Sequence, residues 1–207
     1  VIAYASVTGS SRNKQAIEAA GWHWLFTPGA ARDGYTPYAL DNGAWRAFKA
    51  KQALDLVAFQ RMLDRFGQNA EFIILPDIVG EGERSLELTL EWLPKCRGHR
   101  QLLIAVQNGI EPAMIAPYLA PDVGIFLGGD TDWKLETGAQ WGKLAEKHDV
   151  YFHVGRVNTA QRIIWCSQIG ADSFDGTSAS RYSKTVKSLC NAMKQPSILR
   201  LASEVML

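Results

Sequence analysis

Nowhere does the sequence hold an apolar run approaching the roughly 20 residues of a membrane span. Its first residues also lack the basic-then-apolar layout of a secretory leader. A cytoplasmic protein with no membrane partner is expected. Cysteine is scarce: Cys96, Cys166 and Cys190 stand far apart with no C-x-x-C pair. That spacing excludes a zinc knuckle built from them alone and a secreted disulfide framework. Neither a metal nor a cofactor is expected. Charge of one sign is missing too, since the net is +1, so the molecule as a whole is no general trap for polyanions. The balance is uneven, however. From Val150 onward seven Lys or Arg face three acids, which is +4 for the last quarter and −3 for the rest. A basic C-terminal quarter suits phosphates, and equally a solvated helix face.

Repeats, low-complexity tracts and linker-like stretches are absent as well, so residues 1–207 are expected to form a single domain, with 198–207 a closing helix or lid. What is present is alternation. Strand-length apolar runs fit Val1 to Val7, His23 to Thr27, Tyr38 to Leu40, Phe72 to Leu75, Leu102 to Val106, Gly124 to Leu127, Val150 to Val154 and Ser173 with Phe174. Helical patterns fit Asn13 to Ala20, Ala53 to Phe66, Glu83 to Leu93, Glu111 to Tyr118, Lys134 to Lys147, Thr159 to Gln168 and Lys184 to Met193. In the second of these, Leu54, Val57, Ala58, Met62 and Leu63 supply the packed face. Asn158-Thr159 and Ser183 are candidate N-caps. Between Pro28 and Pro37 the Pro-Gly and Asp-Gly pairs predict a loop where a helix would otherwise stand. Eight strands with crossovers of this length predict a parallel α/β fold, a single compact (β/α)8 TIM-type barrel with one helix replaced by a loop.

Polar residues end these strands repeatedly. Asp41 follows the third, Asp77 the fourth, Gln107 the fifth, Gly128-Gly129 the sixth, and Asp175 closes the eighth. Each has a plain alternative. Asp41-Asn42-Gly43, Gln107-Asn108-Gly109 and Asp175-Gly176 are strong turn chemistry, Asp77 is a possible helix cap, and Gly128-Gly129 suits a tight bend. Turn chemistry alone gives no reason to favour one end of a barrel, and that end is where such folds keep their active sites. Three carboxylates, an amide and paired glycines suit displacement at an anomeric carbon. One carboxylate attacks the sugar and another group manages the proton on the leaving base, through a covalent glycosyl intermediate. The same groups supply acceptors for the N1 and N2 protons of guanine and donors for its O6.

The ordered series Asp41-Asn42-Gly43, Leu75-Pro76-Asp77, Val106-Gln107-Asn108-Gly109, Leu127-Gly128-Gly129, His153-Val154-Gly155 and Phe174-Asp175-Gly176-Thr177-Ser178-Ala179-Ser180-Arg181 resembles the tRNA-guanine transglycosylase superfamily. That family carries D-S-G-G-[FY], a carboxylate after the next strand, V-Q-G, Gly-Gly, G-V-G and F-D-x-x-x-P-T-R in this order. The resemblance implies Asp175 as nucleophile on C1′ and Asp41 as general acid/base. It implies a base site of Asp77, Gln107, Gly128 and Gly129, with Trp45 stacked on the base and Phe152 or His153 as the opposite wall; the plain alternatives are a partly buried helix-start aromatic for Trp45 and, as the favoured reading, a hydrogen-bonded core or rim histidine for His153. Two departures stand out. The C-x-C-x-x-C zinc motif is missing, and P-T-R is replaced by Ala179-Ser180-Arg181. A compact zinc-free chain is most similar to the short DpdA-type proteins of phages and bacteria, which exchange guanine in DNA for a 7-deazaguanine such as preQ0. The implied partners are then DNA, held by Arg156, Arg181, Lys184 and Lys187, the free 7-deazaguanine base, and a helicase or other modification protein. A duplex substrate requires the nucleotide to be flipped or the DNA unwound. Rival expectations are a zinc-free tRNA transglycosylase, a non-catalytic nucleic-acid-binding subunit, and a hydrolase that releases the base to water.

Overall fold

The computed structural model describes residues 1–194. The segment expected as a closing helix or lid, 198–207, lies outside them. Eight strands, β1 (Ile2–Ser6), β2 (His23–Phe26), β3 (Tyr38–Leu40), β4 (Ile73–Ile74), β5 (Leu102–Val106), β6 (Val123–Leu127), β7 (Phe152–Val154) and β8 (Ser173–Gly176), pair in parallel in sequence order. The ring closes where β1 pairs with β8, Tyr4 lying opposite Asp175. This is a (β/α)8 TIM-type barrel. The helices are α1 (Ser11–Ala19), α2 (Ala44–Ala50), α3 (Leu56–Phe66), α4 (Gly82–Trp92), α5 (Pro112–Ile115), α6 (Thr131–His148), α7 (Ala160–Gln168), α8 (Ser178–Arg181) and α9 (Ser183–Met193). None of them is long and apolar enough to cross a membrane.

The strands read as unbroken apolar runs because both of their faces are covered. Alternate residues point inward, where Tyr4, Leu25, Ala39, Phe72, Ile74, Leu103 and Ala105 fill the barrel. Their neighbours Trp24, Phe26, Leu40, Ile73, Leu102, Ile104 and Phe152 face the helices and belong to the larger core. At Gly124 an added Cβ would lie 2.1 Å from the Tyr151 carbonyl oxygen, so nothing bulkier than hydrogen fits between β6 and β7 there.

Three local expectations are corrected. No helix links β2 to β3, as the Gly and Pro pairs predict, but a short unforeseen helix, α2, follows β3. In α3 the buried face is Phe59, Met62, Leu63 and Phe66, while Val57 is exposed. The two phenylalanines bury more apolar area than Val57 and Ala58 can, and they set the rotation of the helix. Asp55 caps it by accepting from the Ala58 N–H at 2.9 Å. Thr159 caps α7 by accepting from Arg162, but Asn158 turns elsewhere, and Ser183 is the first residue of α9 rather than its cap.

Candidate active site at the C-terminal rim

The C-terminal ends of the strands open onto a cavity of about 300 Å³, lined among others by Asp41, Asn42, Trp45, Asp77, Gln107, Phe126, Gly128, Gly129, Arg156, Asp175 and Arg181. Its size is at the lower end for a small-molecule site. The structure thus brings together residues as distant in the sequence as Asp41 and Arg181. His153, Lys184 and Lys187 are not among the lining residues.

The β3–β6 side is tightly bonded. Asp77 is buried, with 3 % of its surface exposed. Its Oδ1 accepts from Asn42 Nδ2 at 2.7 Å, and its Oδ2 accepts from Gln107 Nε2. Asn42 also donates to the Leu75 carbonyl at 2.7 Å, and its Oδ1 accepts from the Ala44 N–H. The Asp-Asn-Gly segment therefore makes a turn and builds the site with the same side chain. Gln107 Oε1 accepts from the Gly129 N–H at 2.8 Å. A Cβ on Gly128 would lie 2.5 Å from Gln107 Nε2, and one on Gly129 would lie 2.3 Å from the Trp133 ring. The paired glycines let the β6 backbone approach that amide closely.

Burial is the main cause of the carboxylates' altered acidity here, since a charged form loses hydration. It pushes Asp77 up to about 6, against the pull of the Asn42 and Gln107 hydrogen bonds and the charge of Arg156. Asp41 is pushed up to about 8, first by desolvation and then by the charges of Asp175 and Asp77. Near neutral pH Asp41 is therefore mostly a proton-bearing acid and Asp77 mostly a carboxylate.

The β7–β8 side is looser. Asp175 Oδ1 accepts from the Arg156 N–H at 3.2 Å, and Oδ2 lies 3.2 Å from His153 Nε2. Arg156 adopts a left-handed φ of 59°, uncommon outside glycine, and this conformation accompanies its amide's approach to Asp175. Its guanidinium donates to the Gly129 carbonyl and lies 3.9 Å from the centroid of the Trp45 ring, a cation–π contact. His153 is fully buried beneath Asp175, with Nδ1 2.7 Å from Ser173 Oγ. The imidazole is held between the two side chains, Nε2 against Asp175 and Nδ1 against Ser173. His153 thus supports the carboxylate from below, whereas the resemblance implied a wall for the base.

Phe126 lines the cavity and stacks on His153 with ring centroids 5.7 Å apart and planes 20° from parallel. Alternation carried the signal, because Phe126 lies two residues before Gly128 on the same face of β6. Asn42 and Arg46, also missed as site residues, line the cavity beside Asp41 and Trp45. Asn158 was singled out only as a cap, yet its Oδ1 accepts from the Thr177 and Ser178 N–H groups at 2.8 and 3.0 Å, fixing the chain just beyond Asp175. Arg181 reaches the cavity, while Lys184 and Lys187 are exposed on α9. Among the described residues no group of three or more His, Cys, Asp or Glu side chains is arranged to hold a metal ion.

Comparison with protein-family models and with curated proteins finds no match to this chain. The rim cavity gathers three carboxyl groups: Asp41, whose pKa burial raises, Asp77, fixed by two amides, and Asp175, with two contacts of 3.2 Å.

Proposed function

We propose that this barrel is a DNA-guanine transglycosylase that exchanges guanine in DNA for a 7-deazaguanine base through a covalent glycosyl intermediate on Asp175. The observation that carries the proposal is the division of labour among the three carboxylates around one base-sized cavity. An Asp175 oxygen attacks C1′ of the deoxyribose as the C1′–N9 bond breaks, and the bonding pair leaves with the purine. Asp41, carrying its proton at neutral pH, delivers that proton to the departing base. The incoming 7-deazaguanine gives up a proton to the Asp41 carboxylate, and its N9 forms the new bond to C1′ as the Asp175 ester bond breaks. Atoms and charge balance without an oxidant, a metal or a cofactor.

The base is held by its edges. Asp77 keeps a second lone pair on each oxygen for the N1 and N2 protons of guanine, and the Gly129 amide can turn from Gln107 to O6 with little movement. Phe126 offers a ring face to the base. Arg181, Lys184 and Lys187 would hold phosphates. The intramolecular bonds of Arg156 give it a second role, bracing Gly129 and Trp45. DNA is the substrate that the resemblance to the short zinc-free proteins implies, and tRNA is the alternative to be tested. Incubating the protein with labelled guanine and either DNA or tRNA tests the proposal. Label should enter DNA and not tRNA, and a denaturation-resistant protein–DNA adduct should form. Free abasic sites in place of exchanged base would replace it with the hydrolase.

A further inference from the structure

The helix that the sequence pattern did not reveal, α2, has an unusual make-up. Only Ala44 of its seven residues is buried, and both flanking residues have positive φ, 85° at Gly43 and 54° at Lys51. Trp45 and Phe48 are 40 % and 53 % exposed. Their rings stack on each other, with centroids 5.6 Å apart and planes 25° from parallel. The core does not explain this arrangement, because burial of both rings inward would be more favourable by the usual area argument. One side of Trp45 is covered by the Arg156 guanidinium. Phe48 is the more open of the two and borders a second cavity of about 530 Å³. That cavity shares Ala44, Asp77 and Val79 with the rim cavity, so the two hollows adjoin.

Charge on α2 itself has one sign, although Asp77 and Glu81 also line the cavity beside Phe48. Between Ala44 and Lys51 the sequence has Arg46, Lys49 and Lys51 and no acid. The Lys49 ammonium sits 6.0 Å from the Trp45 ring, and Arg84 across the cavity is paired with Glu81. Arg181 lines the rim cavity as well. Exposed aromatic faces interleaved with unpaired cations are the composition that binds a single strand, whose bases stack and whose phosphates are neutralised.

We propose that Phe48, backed by Trp45, is a stacking platform for the base adjoining the reacting nucleotide in single-stranded DNA, with Lys49 and Lys51 on its phosphates. This rests on the base-exchange proposal for the direction of the strand, from the rim cavity toward α2. It adds a substrate preference, namely unwound DNA over duplex, and a residue that reads the neighbour of the target by stacking.

The test uses a single-stranded oligodeoxynucleotide of about 12 nucleotides, its duplex, and RNA of the same sequence, with affinity read by fluorescence anisotropy. Phe48→Ala should weaken single-stranded DNA binding about 5- to 150-fold, Phe48→Trp should retain it, and Phe48→Leu should not. Because no charge is removed, Phe48→Ala should leave the salt dependence unchanged. Lys49→Gln should lower the slope of log affinity against log salt by about 0.7. Equal affinity in Phe48→Ala, a leucine as good as a tryptophan, or a Phe48 effect seen only with duplex or RNA would overturn the platform. The two proposals fail separately. Phe48-dependent binding without exchange of labelled guanine removes the chemistry and keeps the platform, whereas exchange with Phe48-independent binding does the reverse.

Discussion

The two halves of the rim are built to different tolerances. From β3 to β6, Asn42, Asp77, Gln107 and Gly129 form a bonded arc in which Asp77 is buried and each of its oxygens is already held. From β7 to β8, Asp175 makes two side-chain hydrogen-bond contacts among the described residues, both of 3.2 Å, and keeps 13 % of its side chain exposed. The difference suits two tasks. A site that discriminates between bases gains from groups fixed in place, because a mismatched ligand cannot fill the lone pairs that they still offer. A nucleophile gains from an oxygen that is oriented yet free to form a new bond. One half is a template and the other a reactive edge.

The contrast breaks most visibly at Asp175. Asp175→Ala should lower guanine exchange by on the order of 10⁶-fold, as loss of a nucleophile does elsewhere. It should also abolish the adduct and leave the fold intact, since the side chain contributes only two long contacts. Retained exchange measured with labelled guanine moves the nucleophile to another residue. On the template side, Asp77→Asn should act on selection. Guanine should lose up to about 10⁴-fold of its advantage over adenine, read as the ratio of kcat/KM for the two bases. Its effect on stability should be small, because two opposing changes offset. The amide misplaces a donor against Gln107 and Asn42, but it also removes a carboxylate whose burial pushes it up to about 6. Unchanged discrimination would strip Asp77 of its assigned role.

The template half was also the more legible of the two in the sequence. Asp41, Asp77, Gln107 and Gly128-Gly129 all stand where an apolar run stops, and a polar residue at a strand end is easily seen against a buried parallel strand. The eight strands were visible for the same reason, being covered on both faces. Phe126 was hidden because an inward-facing aromatic inside Val123–Leu127 looks like any other core residue. The depth of His153 below the rim was not legible, because its position on β7 fixes its face but not how far down the barrel it sits. The helix α2 escaped for a third reason. Its apolar residues have no buried stripe, so they follow no core-facing period.

His153 sharpens the contrast on the reactive side. If it orients Asp175 without touching the base, His153→Phe should lower kcat about 10- to 100-fold with KM little changed, in keeping with the loss of one hydrogen bond to a charged group. The adduct should still form, only more slowly. His153→Gln, which can still present an N–H, should recover part of the rate. A rise in KM with kcat unaltered would return His153 to the wall of the base site.

The smallest effect is thermodynamic and separates Asp41 from its neighbours. Its carboxyl is pushed up to about 8 in the folded protein, against about 3.9 for an unperturbed Asp. The folded state therefore binds the Asp41 proton more tightly than the unfolded chain does, and stability falls as pH rises through this range. The contribution is complete below about 4 and lost once pH passes about 8. Asp77 contributes with the same sign, but its loss is complete by about 6. Between those two values Asp41 is the distinguishing group. Urea unfolding of the wild type and of Asp41→Asn should therefore diverge as pH is raised from 6 to 8, the wild type losing up to about 1.4 kcal/mol per pH unit relative to the variant. The same ionisation removes the proton that the leaving guanine needs, so the rate of base release should fall over the pH range in which the stabilities part. Parallel unfolding curves would mean that water reaches Asp41 freely and that the acid must come from elsewhere on the rim.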